Sequence, residues 1–102
     1  MNPQAVIEKA AELERLFIKY KDESADVLAA YRQCKPLIDR ALAGKFTVPT
    51  YEQLPGGYFS TEFDIFNNYR DLYRAASDLD MYLRGWNSEE DFNNHMNKLL
   101  GE

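Results

Sequence analysis

The chain of 102 residues contains a single cysteine and a single histidine, and its apolar runs are short. One cysteine, Cys34, excludes an internal disulfide framework, so we expect a reducing, cytoplasmic location. The apolar runs span only a few residues, whereas crossing a bilayer takes roughly 20. The amino terminus lacks the basic start and unbroken apolar stretch of a signal peptide. We therefore predict one domain over residues 1–102 that does not enter a membrane.

The sequence also lacks a complete metal-binding pattern. Asp78, Asp80 and Glu89 occupy positions 1, 3 and 12 of a calcium-loop pattern. Positions 5 and 6 are Tyr82 and Leu83, where such a loop needs an oxygen ligand and a turn-making glycine. We therefore predict a solvated acidic helix face at these positions.

No arrangement typical of catalysis is present either. His95 has one carboxylate, Asp91, four residues before it, which is too few ligands for zinc and provides no nucleophile for a base. Cys34 lies in an apolar stripe between Tyr31 and Ile38, which is typical of a buried, unreactive thiol. Phosphate-binding and nucleophile-elbow patterns are absent. We therefore predict a protein that is not an enzyme and holds neither metal nor cofactor.

The formal net charge of −5 is unevenly distributed. Residues 1–50 contain eight Lys and Arg against seven Asp and Glu, whereas residues 51–102 contain four against ten. The negative second half would repel a phosphate backbone or an anionic membrane surface. These features disfavour nucleic acid and membranes as partners, and they allow a basic protein.

Helical spacing dominates the first 43 residues. Asn2 suits an N-cap and Pro3 the first helical position, and Gly44 is a plausible end. The stripe between them follows a 4-3-4-3 spacing. Its members are Val6, Ala10, Leu13, Phe17, Tyr20, Ser24, Val27, Tyr31, Cys34, Ile38 and Ala41.

This stripe allows either one helix of about 40 residues or two helices that separate near Lys21 to Ser24. The charges favour two helices, because lysines stabilise the carboxyl end of a helix and carboxylates stabilise the amino end of the next. Lys19 and Lys21 precede the junction, and Asp22, Glu23 and Asp26 follow it. Pro36 predicts a kink under either interpretation.

Residues 44–59 form the one non-helical stretch, with Pro49, Pro55 and a Gly56-Gly57 pair. Its many aromatic and aliphatic residues predict a loop that folds back over the helices.

After this loop, Ser60 or Thr61 is a candidate N-cap for a helix whose apolar stripe runs from Ile65 to Leu83 before Gly85. Ser88 then predicts the start of a short last helix that ends at Gly101. The apolar side of this last helix contains Phe92, Met96, Leu99 and Leu100. The chain is thus predicted to be all-α, an antiparallel bundle of three long helices and a short C-terminal helix, with one long kinked helix as the alternative for the first two.

Aromatic residues are concentrated where the negative charge lies. Eleven of the 14 follow position 45, interleaved with carboxylates. Two interpretations are open. In one, the rings all fill a small core; in the other, some reach the surface beside carboxylates, where aromatic rings anchor a partner and negative charge attracts a basic one. The candidate partner-binding residues are Tyr58, Glu62, Asp71, Tyr73, Asp78, Asp80, Tyr82 and Trp86.

The leading functional hypothesis is a small acidic module that occludes or holds a basic protein, as an immunity protein or antitoxin, an inhibitor or a chaperone does. The alternative is a structural or assembly subunit that associates with copies of itself, as a homo-oligomer, or with a larger complex through the helical stripe from Val6 to Ala41.

Overall fold

The computed structural model describes residues 1–86 and 89–99, and this part of the chain contains helices, turns and loops but no strand. The helices are α1 (Pro3–Tyr20), α2 (Ala25–Leu42), α3 (Asp64–Asn68), α4 (Arg70–Leu83) and α5 (Glu89–Leu99). The predicted all-α class is confirmed. Among these described helices, none is both long enough and apolar enough to span a bilayer.

The first 43 residues form two helices, because the chain turns at residues 21–24. The Oδ1 atom of Asn2 accepts a hydrogen bond from the amide of Ala5 at 3.1 Å and so caps α1. The hydroxyl of Ser24 accepts one from the amide of Val27 at 3.4 Å and caps α2. The predicted junction is confirmed, and the single long helix is wrong. Ser24, placed in the apolar stripe by its spacing, is an N-cap.

The predicted end of the second helix is also confirmed. The helix α2 continues through Pro36 to Leu42, and Gly44 follows with φ +73°. That left-handed conformation suits glycine and turns the chain away from the helix. The kink expected at Pro36 stays a prediction.

The helices α1 and α2 pack antiparallel. The rings of Phe17 and Tyr31 stack with centroids 5.2 Å apart, near the turn that joins the two helices. Further from that turn, Lys35 Nζ lies 3.8 Å from a carboxylate oxygen of Glu14. Earlier residues of α1 therefore face later residues of α2.

The helix α4 packs against α1 in the same antiparallel sense. The Tyr20 hydroxyl donates to Asp71 at 2.7 Å, and Lys9 lies 3.9 Å from the Asp78 carboxylate. Late residues of α1 thus meet the start of α4, and early residues meet its later turns. The helix α1 is central in the bundle, with α2 and α4 both packed against it.

The core is drawn from α1, α2, α3 and α4. Its largest fully buried side chains are Phe17, Leu13, Ile38, Ile65, Leu72, Leu79, Leu83, Val6, Val27 and Cys34. Both predicted apolar stripes therefore face this core. Because burying an aliphatic side chain contributes about 1.5–3 kcal/mol, these positions supply most of the driving force for folding.

The predicted N-cap at Ser60 or Thr61 is wrong, since α3 begins only at Asp64. Tertiary contacts determine this start. The Asp64 amide donates to the Asp26 carboxylate at 3.2 Å, and the Asp64 carboxylate accepts from the Ser24 hydroxyl at 2.7 Å. The amino ends of α2 and α3 thus satisfy each other's polar groups, so α3 begins without a local cap.

A single residue, Tyr69, divides the helix predicted to end near Gly85. Its φ of −130° and ψ of 63° end α3, and α4 begins at the next residue. The Tyr69 ring lies 4.8 Å from the Tyr20 ring, which ties the interruption to the end of α1. Gly85, with φ +102°, follows the end of α4 as expected.

The last helix, α5, leaves its predicted apolar side largely uncovered. Met96 is 36% exposed and Leu99 is 66% exposed. The Phe92 ring is half-buried and meets the Trp86 ring edge to face at 5.4 Å. The predicted positions Ser88, Leu100 and Gly101 lie outside the described residues.

Candidate functional site

The predicted loop, residues 44–59, folds over the bundle as a strap. Phe46 and Leu54 are buried and anchor it, whereas Val48 is 67% and Tyr51 is 95% exposed. Arg40 of α2 forms an ion pair with Glu52 in the strap. The expectation that this segment covers the helices is confirmed, although its middle faces solvent.

The carboxyl end of α4 holds the strap through polar contacts. The Thr50 amide donates to the Leu83 carbonyl at 2.9 Å. The Nη1 atom of Arg84 donates to the Thr50 carbonyl at 2.6 Å and to the Glu52 carbonyl at 2.9 Å. One guanidinium therefore holds two carbonyls of the strap against the end of α4.

Gly85 makes room for this arrangement. A Cβ atom at this position would lie 2.7 Å from Pro49 Cγ, closer than a carbon contact permits. Its φ of +102° also disfavours any side chain. Glycine is therefore required here for two reasons, backbone conformation and the close approach of the strap.

Asp80, one of the predicted partner-binding residues, contacts the strap. Its Oδ1 atom accepts a hydrogen bond from the Leu54 amide at 3.5 Å and lies 3.5 Å from Arg84 Nη2. Partial burial raises the pKa of Asp80 above its ordinary value, against the opposing effects of these two neighbours. Asp80 therefore has a structural role in addition to any role in binding.

Cys34 is fully buried beneath the strap, as expected. Burial, with a smaller contribution from Asp80, raises its pKa to about 12. Its thiol lies 3.9 Å from the Pro55 carbonyl. A thiol held in its protonated form is a poor nucleophile, and the position is structural.

The outward side of α4 carries a shallow cleft, which we term the α4 surface. The residues that line it are Arg70, Asp71, Tyr73, Arg74, Ser77 and Asp78. A second cleft, toward α1, shares three of these residues and adds Lys9, Glu12, Arg15, Leu16 and Ala75. The two clefts form one continuous surface across α4.

Sequence reasoning missed the two arginines of the α4 surface. The Arg70 guanidinium lies over the Phe66 ring, 4.6 Å from its centroid, and donates to the Phe66 carbonyl. Arg74 is exposed. Because the prediction considered the carboxylates and rings of this helix alone, it described an acidic patch where charges of both signs alternate. The available signal was their helical spacing: Arg70 and Arg74 are four residues apart, and each lies next to or four residues from an aspartate, Asp71 or Asp78.

Aromatic rings border the α4 surface on the strap side. The Tyr73 ring is half-buried and lies 5.2 Å from the Phe66 ring and 6.5 Å from the Phe59 ring. Away from this surface, Tyr58 is also half-buried and packs 5.2 Å from Phe63. Rings therefore reach the surface beside carboxylates, as one of the two sequence interpretations expected.

The predicted partner-binding residues do not form one cluster. Asp71, Tyr73 and Asp78 share the α4 surface. Tyr82 is buried, with Lys9 over its ring, and offers a partner little area. The Trp86 ring packs against rings of α5, including His95 at 4.8 Å. The remaining members are Tyr58 and Glu62, in the segment before α3, and Asp80 beside the strap.

A pocket of about 290 Å³ that is open to solvent, which we term the side cavity, lies between the strap and α4. Its lining residues are Leu54, Gly56, Phe59, Ser60, Tyr73, Ala76, Ser77 and Asp80. It shares Tyr73 and Ser77 with the α4 surface, so the two features adjoin. An aromatic wall and one carboxylate give this cavity a mixed chemical character.

Within residues 1–86 and 89–99, no group of three or more His, Cys, Asp or Glu side chains is arranged to hold a metal ion. Asp78 and Asp80 of the calcium pattern lie on the helix α4, in place of the loop that such a site requires. His95 is exposed on α5.

No protein-family model matches the chain, and no similar curated protein or solved structure was found.

Proposed function

We propose that this protein is a small acidic binding module that occludes or holds a basic protein partner through the α4 surface, without turnover of a substrate. The observation that carries the proposal is the α4 surface, where a half-buried tyrosine ring lies among charged side chains. Aromatic and arginine side chains in such positions are the usual hot spots of protein interfaces.

Charge would act at two ranges in this recognition. The net charge of −5 attracts a basic protein over distance and accelerates encounter. At contact the α4 surface presents two arginines and two aspartates, so it would select a partner with alternating charges rather than a uniformly basic one. Immunity proteins or antitoxins, inhibitors and chaperones are the classes that fit this description.

The proposal is tested by adding one positive charge at the centre of the α4 surface. Ser77 is exposed, and its hydroxyl donates only to the Tyr73 carbonyl within its own helix. Ser77→Arg therefore alters the surface with little expected cost in stability. Gln33→Arg, at an exposed position on α2, is the matched control with the same change in net charge.

A tagged wild-type protein would capture the partner from the native host at low salt, and affinities would then be measured with the purified partner. We expect Ser77→Arg to weaken binding at least tenfold and Gln33→Arg to weaken it about twofold or less. Raised salt should weaken wild-type binding by slowing association. Equal affinities for the two variants would contradict the proposed surface.

The alternative function, an assembly subunit, is favoured by one feature, the uncovered side of α5. Most of the stripe from Val6 to Ala41 is buried within the bundle, which leaves little of it for contact with another copy. Met96 and Leu99, in contrast, are exposed. If two copies of α5 paired antiparallel, Lys98 of one copy would approach the acidic first turn of the other, around Glu90.

Light scattering at increasing concentration tests this alternative. Self-association that Met96→Glu abolishes and Ile18→Glu, at an exposed site on α1, leaves intact would support assembly through α5. A monomer at every concentration would remove the alternative.

A further inference from the structure

The side cavity combines the two features that bind an organic cation. Phe59 and Tyr73 supply aromatic surface, and Asp80 supplies a carboxylate. A cation gains from the electron-rich face of a ring and from a carboxylate at the same time.

Asp80 retains an available oxygen at this cavity. Both of the contacts that the structure gives its carboxylate, to the Leu54 amide and to Arg84, fall on Oδ1. Within the described part of the chain, Oδ2 has no hydrogen-bond donor. Arg84 Nη2 lies 3.5 Å from Oδ1, and Nη1 donates to two strap carbonyls, so neither contact occupies Oδ2.

The size of the cavity limits what it would accept. Its volume of about 290 Å³ is at or below the lower limit of small-molecule sites, which span roughly 300–1,000 Å³. The space is large enough for one extended side chain. The hydroxyls of Ser60 and Ser77, which also line it, would accept further hydrogen bonds from an ammonium or guanidinium group.

We propose that the side cavity is a binding site for one alkyl cation, the ammonium or guanidinium head of a lysine or arginine side chain, held between Phe59, Tyr73 and Asp80. That this side chain belongs to a protein partner rests on the proposed function. The cavity adjoins the α4 surface, so a partner lying across α4 would be able to insert one basic side chain there. The cavity would then anchor the partner, and the α4 surface would select it.

The site is tested without the partner. Chemical shifts of the backbone amides are followed by NMR at low salt while n-butylammonium, n-butylguanidinium or neutral n-butanol is added. We expect saturable shifts around Ser77 and Asp80 with the two cations, at millimolar concentrations, and little response to butanol. The cation that binds with the higher affinity indicates whether the cavity is suited to a lysine or an arginine side chain.

Two variants and one control identify the groups involved. Asp80→Asn removes the charge while keeping an oxygen for the Leu54 amide, and it should weaken cation binding about tenfold. Ser77→Phe fills the cavity from an exposed helix position and should abolish binding. Asp39→Asn, on the exposed side of α2, is the charge-matched control and should bind as the wild type does.

Three results would overturn the inference: no shifts at about 100 mM of either cation, an equal response to butanol, or unchanged affinity in Asp80→Asn. Failure of the proposed function is a separate outcome. In that case the cations would still bind the cavity, while Ser77→Arg and Gln33→Arg would bind the purified partner equally.

Discussion

Replacing Arg84 by methionine should release the strap from the end of α4. Its side chain is 23% exposed, and Nη1 donates to the carbonyls of Thr50 and Glu52. Hydrogen bonds to a charged group contribute about 1.5–3 kcal/mol each. The two hydrogen bonds share one donor atom, Nη1, and Glu52 is exposed, so water can replace the guanidinium as the donor to its carbonyl. We therefore expect the free energy of unfolding to fall by about 2–3 kcal/mol, which is less than the sum for two independent hydrogen bonds.

The free energy of unfolding is measured by urea titration with circular dichroism. For a domain of this size the loss corresponds to a fall in Tm of about 10–20 °C. Native-state hydrogen exchange provides a local readout, because the Thr50 amide is bonded to the Leu83 carbonyl and should exchange faster in the variant. The methionine retains the apolar stem, so the change isolates the guanidinium.

Arg32→Met, at an exposed position on α2, is the matched control and should lie within about 0.5 kcal/mol of the wild type. If Arg84→Met were equally mild and the Thr50 amide kept its protection, the guanidinium would not hold the strap.

Three further predictions concern single sites. Gly85→Ala should destabilise the fold by about 2 kcal/mol or more, because Gly85 has a positive φ and a Cβ atom there would clash with Pro49. Gly57→Ala, at a position that faces open space, should be neutral or slightly stabilising, and thermal unfolding of the two variants compares them. Ser24→Ala removes the cap of α2 and the bond to Asp64, so chemical denaturation should show a loss of about 1–3 kcal/mol, and an unchanged midpoint would contradict the shared capping. Burial raises the pKa of Cys34 from 9.0 to about 12, so the thiol of the unfolded chain loses its proton first, and the stability that the buried thiol contributes is lost as pH rises from 9.0 toward 12. Cys34→Ala should therefore flatten the dependence of the free energy of unfolding on pH in this range, and the same dependence in wild type and variant would contradict the assignment.

The sequence was informative wherever a pattern is local. The spacing of apolar residues identified the stripes that form the core, and Asn2 identified the first helix start. The charges around Lys21 and Asp22 correctly favoured two helices over one, because they act within a single turn.

Two of the errors arose where distant residues decide the outcome. The start of α3 depends on Asp26, which lies 38 residues before Asp64, so no local cap signals it. The structural contacts of Asp80 depend on a strap whose path the sequence did not specify. The α4 surface was predicted in part, through Asp71, Tyr73 and Asp78. Its arginines were overlooked, and the side cavity could not be foreseen because it exists only between the strap and α4.

The central position of α1 has a consequence for synthesis of the chain. During synthesis α1 and α2 leave the ribosome before α4 does, and they can pair at once through the turn at residues 21–24. The helix α4, which covers the other side of α1, is made only after the strap and α3. Until then Leu16 and its neighbours on that side are exposed, and a nascent chain of this kind is prone to aggregate or to recruit a chaperone. Slow translation through residues 44–69 would prolong that exposure, so the rate of elongation, as well as the stability of the finished bundle, would govern its yield in the cell.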